Sequence, residues 1–194
     1  MLERLNEIRY ASNIEALIAS GESGNIELKS SLHHAHGPLP PDLDAQLKQG
    51  KVQLGQVRKE LQKQLNKAVT KTIAAFLNTS GGTLLIGVAD DGQVLGIEPD
   101  FEYCRKGKHN ADGWMLSLET VIINALGAEV WSAIRVSLMP HQGKLVAVVL
   151  CPRRPSPTWH SEGGSERFYI RAGNATEELN GRGLVGYISE RWPA

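Results

Sequence analysis

TIAAFLNTSGGTLLIGVADDGQVLGI, residues 72–97, holds a helix end, a buried strand and a turn in that order. Its first part closes a helical pattern that opens near Leu54. Leu61, Leu65, Val69, Ile73 and Leu77 recur every fourth residue, with Ala68, Thr72 and Phe76 beside them. Apolar residues at that spacing line one helix face broad enough to be core. NTSGG ends the helix, because Gly81 or Gly82 can take the left-handed conformation of a C-cap. TLLIGVAD (83–90) is apolar on both faces and predicts a central strand. Asp91-Gly92 is a strong hairpin signal and predicts a return strand over 93–97. A strand that turns straight back cannot belong to an all-parallel sheet. The stretch therefore predicts α+β.

Working outward, residues 3–20 carry a loose helical pattern (Leu5, Ile8, Ile14, Leu17, Ile18) that stops at SGESG. ESGNIELKS (22–30) alternates and predicts a strand at about 25–30, with Ile26 and Leu28 inward, Glu27 and Lys29 outward. HHAHGPLPPDLD (33–44) has three prolines and no periodicity, so 31–53 is expected to be a loop insertion. Downstream, a helix is predicted over 113–127, and WSAIRVSLM with KLVAVVLC form an antiparallel pair around His141-Gln142-Gly143. PRRPSPTW reads as a proline-rich crossing and RFYIRAG as the last strand. A closing helix over 176–194 would be capped by Thr176, with Glu177 and Glu178 in its first turn. Its three glycines make it dependent on docking. The organisation expected is an N-terminal helical segment (1–20), a main domain (21–178) and that docking helix. The class is two-layer α+β, a mixed and mostly antiparallel sheet with hairpins packed against helices.

The 194 residues are 41% hydrophobic, enough for a core, and carry 21 basic against 21 acidic side chains. That balance excludes a function resting on strong net charge, though not one resting on a local basic patch. Cys104 and Cys151 form no CxxC pair, which fits a reducing compartment. The longest apolar run, LVAVVLC (145–151), is too short for a bilayer, and MLERLNEIRY lacks a signal-peptide centre. No membrane partner is expected, and the location expected is cytoplasmic.

Set in order, ESGNIELKS, TIAAFLNTSGGTLLIGVADDGQVLGI and FYIRAGNAT resemble the Schlafen AlbA-like family, also called a divergent AAA-type DNA-binding domain. The resemblance runs over about residues 20–178. It implies nucleic-acid binding, to RNA or DNA. In the eukaryotic branch it further implies metal-dependent cleavage of RNA by three acidic residues. Those match Glu22, Glu27 and Asp90 here, which would hold Mg²⁺ or Mn²⁺, with Lys29 facing the scissile phosphate. The chain departs from the family at Leu28, where an aromatic is usual, and at Ala89, where an acid is common. One lobe is present, so a cleft would need a homodimer or fusion to another domain. No G-x-x-x-x-G-K-[ST] occurs, so no ATP site is recognised.

The residues also support plainer readings. Glu27 could simply pair with Lys29, and Asp90 could hold its turn. Lys59, Lys63, Lys67 and Lys71 form a row opposite the Leu61–Leu77 stripe. A solvated face explains it better than phosphate tracking, with Lys71 kept as a nucleic-acid candidate. Arg153, Arg154, Arg167 and Arg171 offer planar forks for phosphate. Tyr169 and Arg171 should share a strand face, where a ring could stack on a single-stranded base. His33, His34 and His36 lack partners at zinc-ligand spacing and read as non-metal residues in a mobile loop. Three functions stand: a nucleic-acid-binding domain which, if catalytic, is a metal-dependent endoribonuclease; a non-catalytic DNA-binding regulatory module; or a protein–protein interaction domain.

Overall fold

A computed structural model of the chain describes residues 14–193. The apolar positions at Leu5 and Ile8 lie outside them. Helix α1 (Ile14–Ser20) leads into strand β1 (Ile26–Lys29). Two helices follow, α2 (Pro41–Lys48) and the long α3 (Leu54–Asn78), before strand β2 (Gly82–Ile86). A 3₁₀ turn (Glu98–Tyr103) precedes α4 (Ala111–Leu126) and the short α5 (Ala128–Ala133). Then come β3 (Arg135–His141), β4 (Lys144–Cys151), β5 (His160–Glu162), β6 (Ser165–Ala172), β7 (Ala175–Leu179) and helix α6 (Gly181–Arg191).

The first sheet has the order β1-β2-β4-β3, with β1 and β2 parallel and the other pairs antiparallel. β5, β6 and β7 make a second, antiparallel sheet against α3. This is a mixed α+β fold. β2 is central, and its neighbours in sequence go to opposite faces. Leu84 and Ile86 join the core formed with α3 and α4 around Phe76, Ile73 and Trp114. Leu85 joins Leu28, Val146 and Val148 on the other face, beneath Ile14, Leu17 and Ile18 of α1. Burying each such side chain contributes about 1.5–3 kcal/mol.

The motif glycines act by closeness. Gly81, at φ +85°, ends α3 by donating its N–H to Phe76 O at 3.0 Å. A Cβ on Gly82 would lie 2.4 Å from the Phe76 ring, so the helix can meet the strand only over a bare backbone.

Five expectations differ from what forms. Trp131–Ala133, expected in the strand of WSAIRVSLM, close helix α5 instead, and that strand begins at Arg135. The return strand over 93–97 is a single bridge, Val88 to Val94, because β2 stops at Ile86 and Gly87 at φ +99° turns the chain. The insertion 31–53 contains a helix, α2, which opens on Pro41, a residue whose fixed φ suits a first turn. A strand was missed: β5 pairs with β6 through Gly163-Gly164. Finally, Thr176, Glu177 and Glu178 lie in strand β7, not in a first helical turn. Gly173-Asn174 is a two-residue hairpin loop, with φ +62° at Gly173 as a II′ turn needs, and the helix waits until Gly181.

Candidate functional site

Strand pairing sets Glu27 opposite Leu84, and its side chain is covered rather than outward, leaving the residue 8% exposed. The cover is Arg171 of β6. Arg171 donates from Nη1 to Glu27 Oε2 at 2.7 Å, and Lys29 Nζ donates to Glu27 Oε1 at 2.7 Å. Glu22 joins from the preceding loop: its Oε1 accepts from Leu28 N at 3.2 Å and lies 3.6 Å from Lys29 Nζ. Two acids and two bases thus balance locally. The Arg171 guanidinium also donates to Thr176 Oγ1, Ser23 O and Asn174 O, and lies 5.1 Å above the Phe76 ring. One side chain therefore ties β1, β6, the β6–β7 turn and the end of α3 together.

Asp90 stands apart, exposed in the turn after β2. Among the described residues, no three His, Cys, Asp or Glu side chains are grouped to hold a metal ion. Each Glu27 oxygen already faces a cation, so a divalent ion at this carboxylate would have to displace Lys29 or Arg171. The donor set as arranged does not fit Mg²⁺ or Mn²⁺.

The other sequence candidates divide by burial. Tyr169 is 5% exposed and packs in the core, so its ring does not stand free for a base. Arg171 is buried as a clamp instead of an open fork. Both follow from β6 lying against α3, which puts their shared face inward. Arg167 is half-exposed but engaged: Nη1 donates to both oxygens of Glu178 at 2.9 Å, and Nε lies 3.0 Å from Glu162. Lys67 Nζ donates to Glu162 at 2.6 Å, which holds that carboxyl below its usual range. Arg154 donates to Thr158 Oγ1 at 3.0 Å. Arg153, Lys59 and Lys63 are exposed and Lys71 is half-buried, all without a side-chain ion pair among the described residues.

Three anchors escaped sequence reading. Asn78 is fully buried, donates to Thr158 O and Tyr169 O, and accepts from Thr158 N, all within 2.9 Å. Its own carbonyl accepts from Tyr187 Oη and Arg191 Nε of α6, which is how the closing helix docks. Asp100, also fully buried, accepts from the N–H groups of Leu32, His33 and His34 and from Trp114 Nε1, at 2.6–2.9 Å. These bonds pin the histidine segment, which is no mobile loop. His33 is 3% exposed, and burial pushes its imidazole below the ordinary histidine value. The third is an exposed basic run, Arg105, Lys106 and Lys108 with His109 beside them, without a side-chain ion pair among the described residues. RKGKH is a charge run in the sequence, set within the irregular segment 98–112.

Residues 53–180 match the sequence pattern described as Schlafen, AlbA_2. The matched span includes Asn78, Asp90 and Arg171, while Glu22, Glu27 and Lys29 precede it. No curated protein matches the chain. Among solved structures, the DIP2311 protein from Corynebacterium diphtheriae superposes with a TM-score of 0.53 at 17% identity, over 94% of this chain and 32% of that one. The chain thus spans about a third of that protein, and the likeness is one of fold. The N-terminal domain of a RecG-related protein from Nitrosomonas europaea gives a TM-score of 0.38 at 21% identity, over 60% of this chain and 74% of that one. Among the described residues, no helix is long and apolar enough to cross a membrane.

Proposed function

The chain belongs to the Schlafen AlbA_2 family, and from that premise we propose that it is a nucleic-acid-binding domain whose acidic motif is structural rather than catalytic. Family membership points to a nucleic-acid-related domain. The observation that carries the finer reading is the saturation of Glu27, with Lys29 on one oxygen and Arg171 on the other at 2.7 Å each. A carboxylate so paired holds a fold together and leaves little for a metal to bind. Contact with the strand falls instead to cations not engaged by acids, which can displace counterions from phosphates. Arg153, the exposed lysines of α3 and the run from Arg105 to Lys108 are of this kind.

The test is fluorescence anisotropy of labelled single-stranded RNA and DNA at stepped salt, with Mn²⁺ or with EDTA, followed by a gel of the same mixtures. The expected result is binding that weakens steeply with salt, is indifferent to chelator and leaves the strand intact. Metal-dependent cutting that disappears in Glu27→Ala would replace this reading with the endoribonuclease one. Absence of binding at low salt, where phosphate contacts are strongest, would leave a protein–protein interaction domain.

A further inference from the structure

A cleft of about 350 Å³ opens beside the first half of α4, lined by Arg105, Lys108, Leu116, Ser117, Glu119 and Thr120. The volume lies in the range of small-ligand sites. Its basic wall is held in place by backbone. Asn110 caps α4 by accepting from Gly113 N at 2.9 Å, and Lys108 N donates to Arg105 O at 2.9 Å. A Cβ on Gly113 would lie 1.8 Å from Lys108 O, so the loop lies directly on the helix. Leu116, Ser117 and Thr120 are three or four residues apart and share one helix face.

Ser117 is oriented from behind. His33 Nε2 lies 2.6 Å from its Oγ, while His33 Nδ1 faces Gln62 Nε2 at 3.1 Å and the Asn66 amide at 3.1 Å. Asn66 is best satisfied with its nitrogen towards Leu32 O, Gln62 O and His33 Nδ1. Two amide donors on Nδ1 make that atom the acceptor, so the proton sits on Nε2 and is donated to Ser117 Oγ. The burial that disfavours the imidazolium agrees with a neutral ring. Ser117, His33 and Asn66 therefore do not form a nucleophile triad, which needs an unprotonated Nε2 to take the hydroxyl proton. The opposite tautomer leaves the Ser117 hydroxyl proton unclaimed by any acceptor among the described residues, at the wall of a cleft flanked by two cations. Thr120 spends its own hydroxyl on Leu116 O at 2.8 Å.

Resting on the nucleic-acid reading above, we infer that this cleft takes one nucleotide unit, its phosphate at Arg105, Lys108 and the Ser117 hydroxyl. Leu116, 48% exposed, offers the apolar surface for the sugar or base. Glu119 on the same lining repels phosphate and confines it to the cationic end. The ligand is a phosphate ester with an apolar flank, supplied by a strand or by a free nucleotide.

Two probes separate those sources: labelled oligo-uridine by anisotropy, and AMP by chemical-shift perturbation of the Ser117 and Thr120 amides. Arg105→Gln with Lys108→Gln should weaken the strand about tenfold or more. The same pair should lower the salt slope by about 0.7, as loss of one neutralised phosphate on a single strand requires. Ser117→Ala should lower affinity without changing that slope, since it removes a neutral donor. Arg153→Gln should do less than the double variant. If AMP perturbs the cleft and no strand binds, the site stands as a nucleotide site and the nucleic-acid reading falls. If the strand binds wild type and the double variant equally, with an unchanged slope, the inference is overturned and the nucleic-acid reading survives. If neither probe binds, both fall.

Discussion

Glu27 and Asp100 are both buried carboxylates, and they are satisfied by opposite means. Glu27 faces two cations, Lys29 and Arg171. Asp100 meets no cation among its hydrogen-bond partners and accepts four N–H bonds, three from consecutive backbone groups and one from the Trp114 indole. Both arrangements answer the same physical demand, because an ionised carboxylate out of water costs several kcal/mol unless its lone pairs are matched. They differ in what can be exchanged. A cation on a long side chain can leave, so Glu27 retains some chemical freedom. Backbone N–H groups cannot leave without unfolding the segment that carries them. Asp100 is therefore bound to the fold, while Glu27 is bound to two neighbours.

The comparison is broken most directly at Asp100. Asp100→Asn turns an NH₂ group towards backbone donors, forfeiting two bonds to a charged acceptor at about 1.5–3 kcal/mol each. We expect a loss of about 3–6 kcal/mol in urea denaturation. Arg171→Met should cost about 3–5 kcal/mol by stranding Glu27 and freeing the β6–β7 turn. Glu27→Gln should cost less, about 1.5–3 kcal/mol, because the amide oxygen still accepts from Arg171 and only the bond from Lys29, which also lies near Glu22, is forfeited. A Glu27→Gln penalty above that of Asp100→Asn would reverse the ranking.

A titration sharpens the same contrast, since His33 hangs on the segment that Asp100 pins. Its folded pKa is lowered by burial, so the unfolded chain takes the proton more readily. Stability is then full above the ordinary histidine value, about 6.5. It declines as pH falls from there through the lowered folded value. Denaturation midpoints from pH 8 downwards should show this loss, and His33→Gln should flatten it. His160, also lowered by burial, adds to the same trend. The smallest effect is expected at Arg167, whose pairs with Glu178 and Glu162 lie near the surface. Arg167→Gln should leave the melting temperature almost unchanged, while salt alone should screen the network.

Much of the fold was legible because its signals are local. The apolar spacing marked α3 and α4, the two-faced apolar run marked β2, and His141-Gln142-Gly143 marked the β3–β4 turn, where φ is positive at Gln142 and Gly143. The Gly163-Gly164 and Gly173-Asn174 turns carry an equally local signal, and they close the hairpins of β5 with β6 and β6 with β7. The candidate site was harder. Pairing of Glu27 with Lys29 was foreseen as the plain reading, whereas its pairing with Arg171 joins residues 144 positions apart. The stacking face given to Tyr169 and Arg171 was the right face pointed the wrong way, because alternation gives two faces and does not say which one a helix covers.

By itself, then, the amino-acid order determined part of the elements: where α3 and α4 run, where β2 is buried on both faces, and that glycine ends α3. It also determined the local charges, including the RKGKH run and the acidic pair around Lys29. The tertiary structure alone decided which charges meet. Only packing of β6 against α3 makes Arg171 a clamp, only docking of residues 32–34 on Asp100 buries His33, and only that histidine orients Ser117 towards a basic cleft. Spacing along a chain is set by covalent geometry, but ionic and hydrogen-bond partners are chosen across distances in sequence that no local pattern encodes.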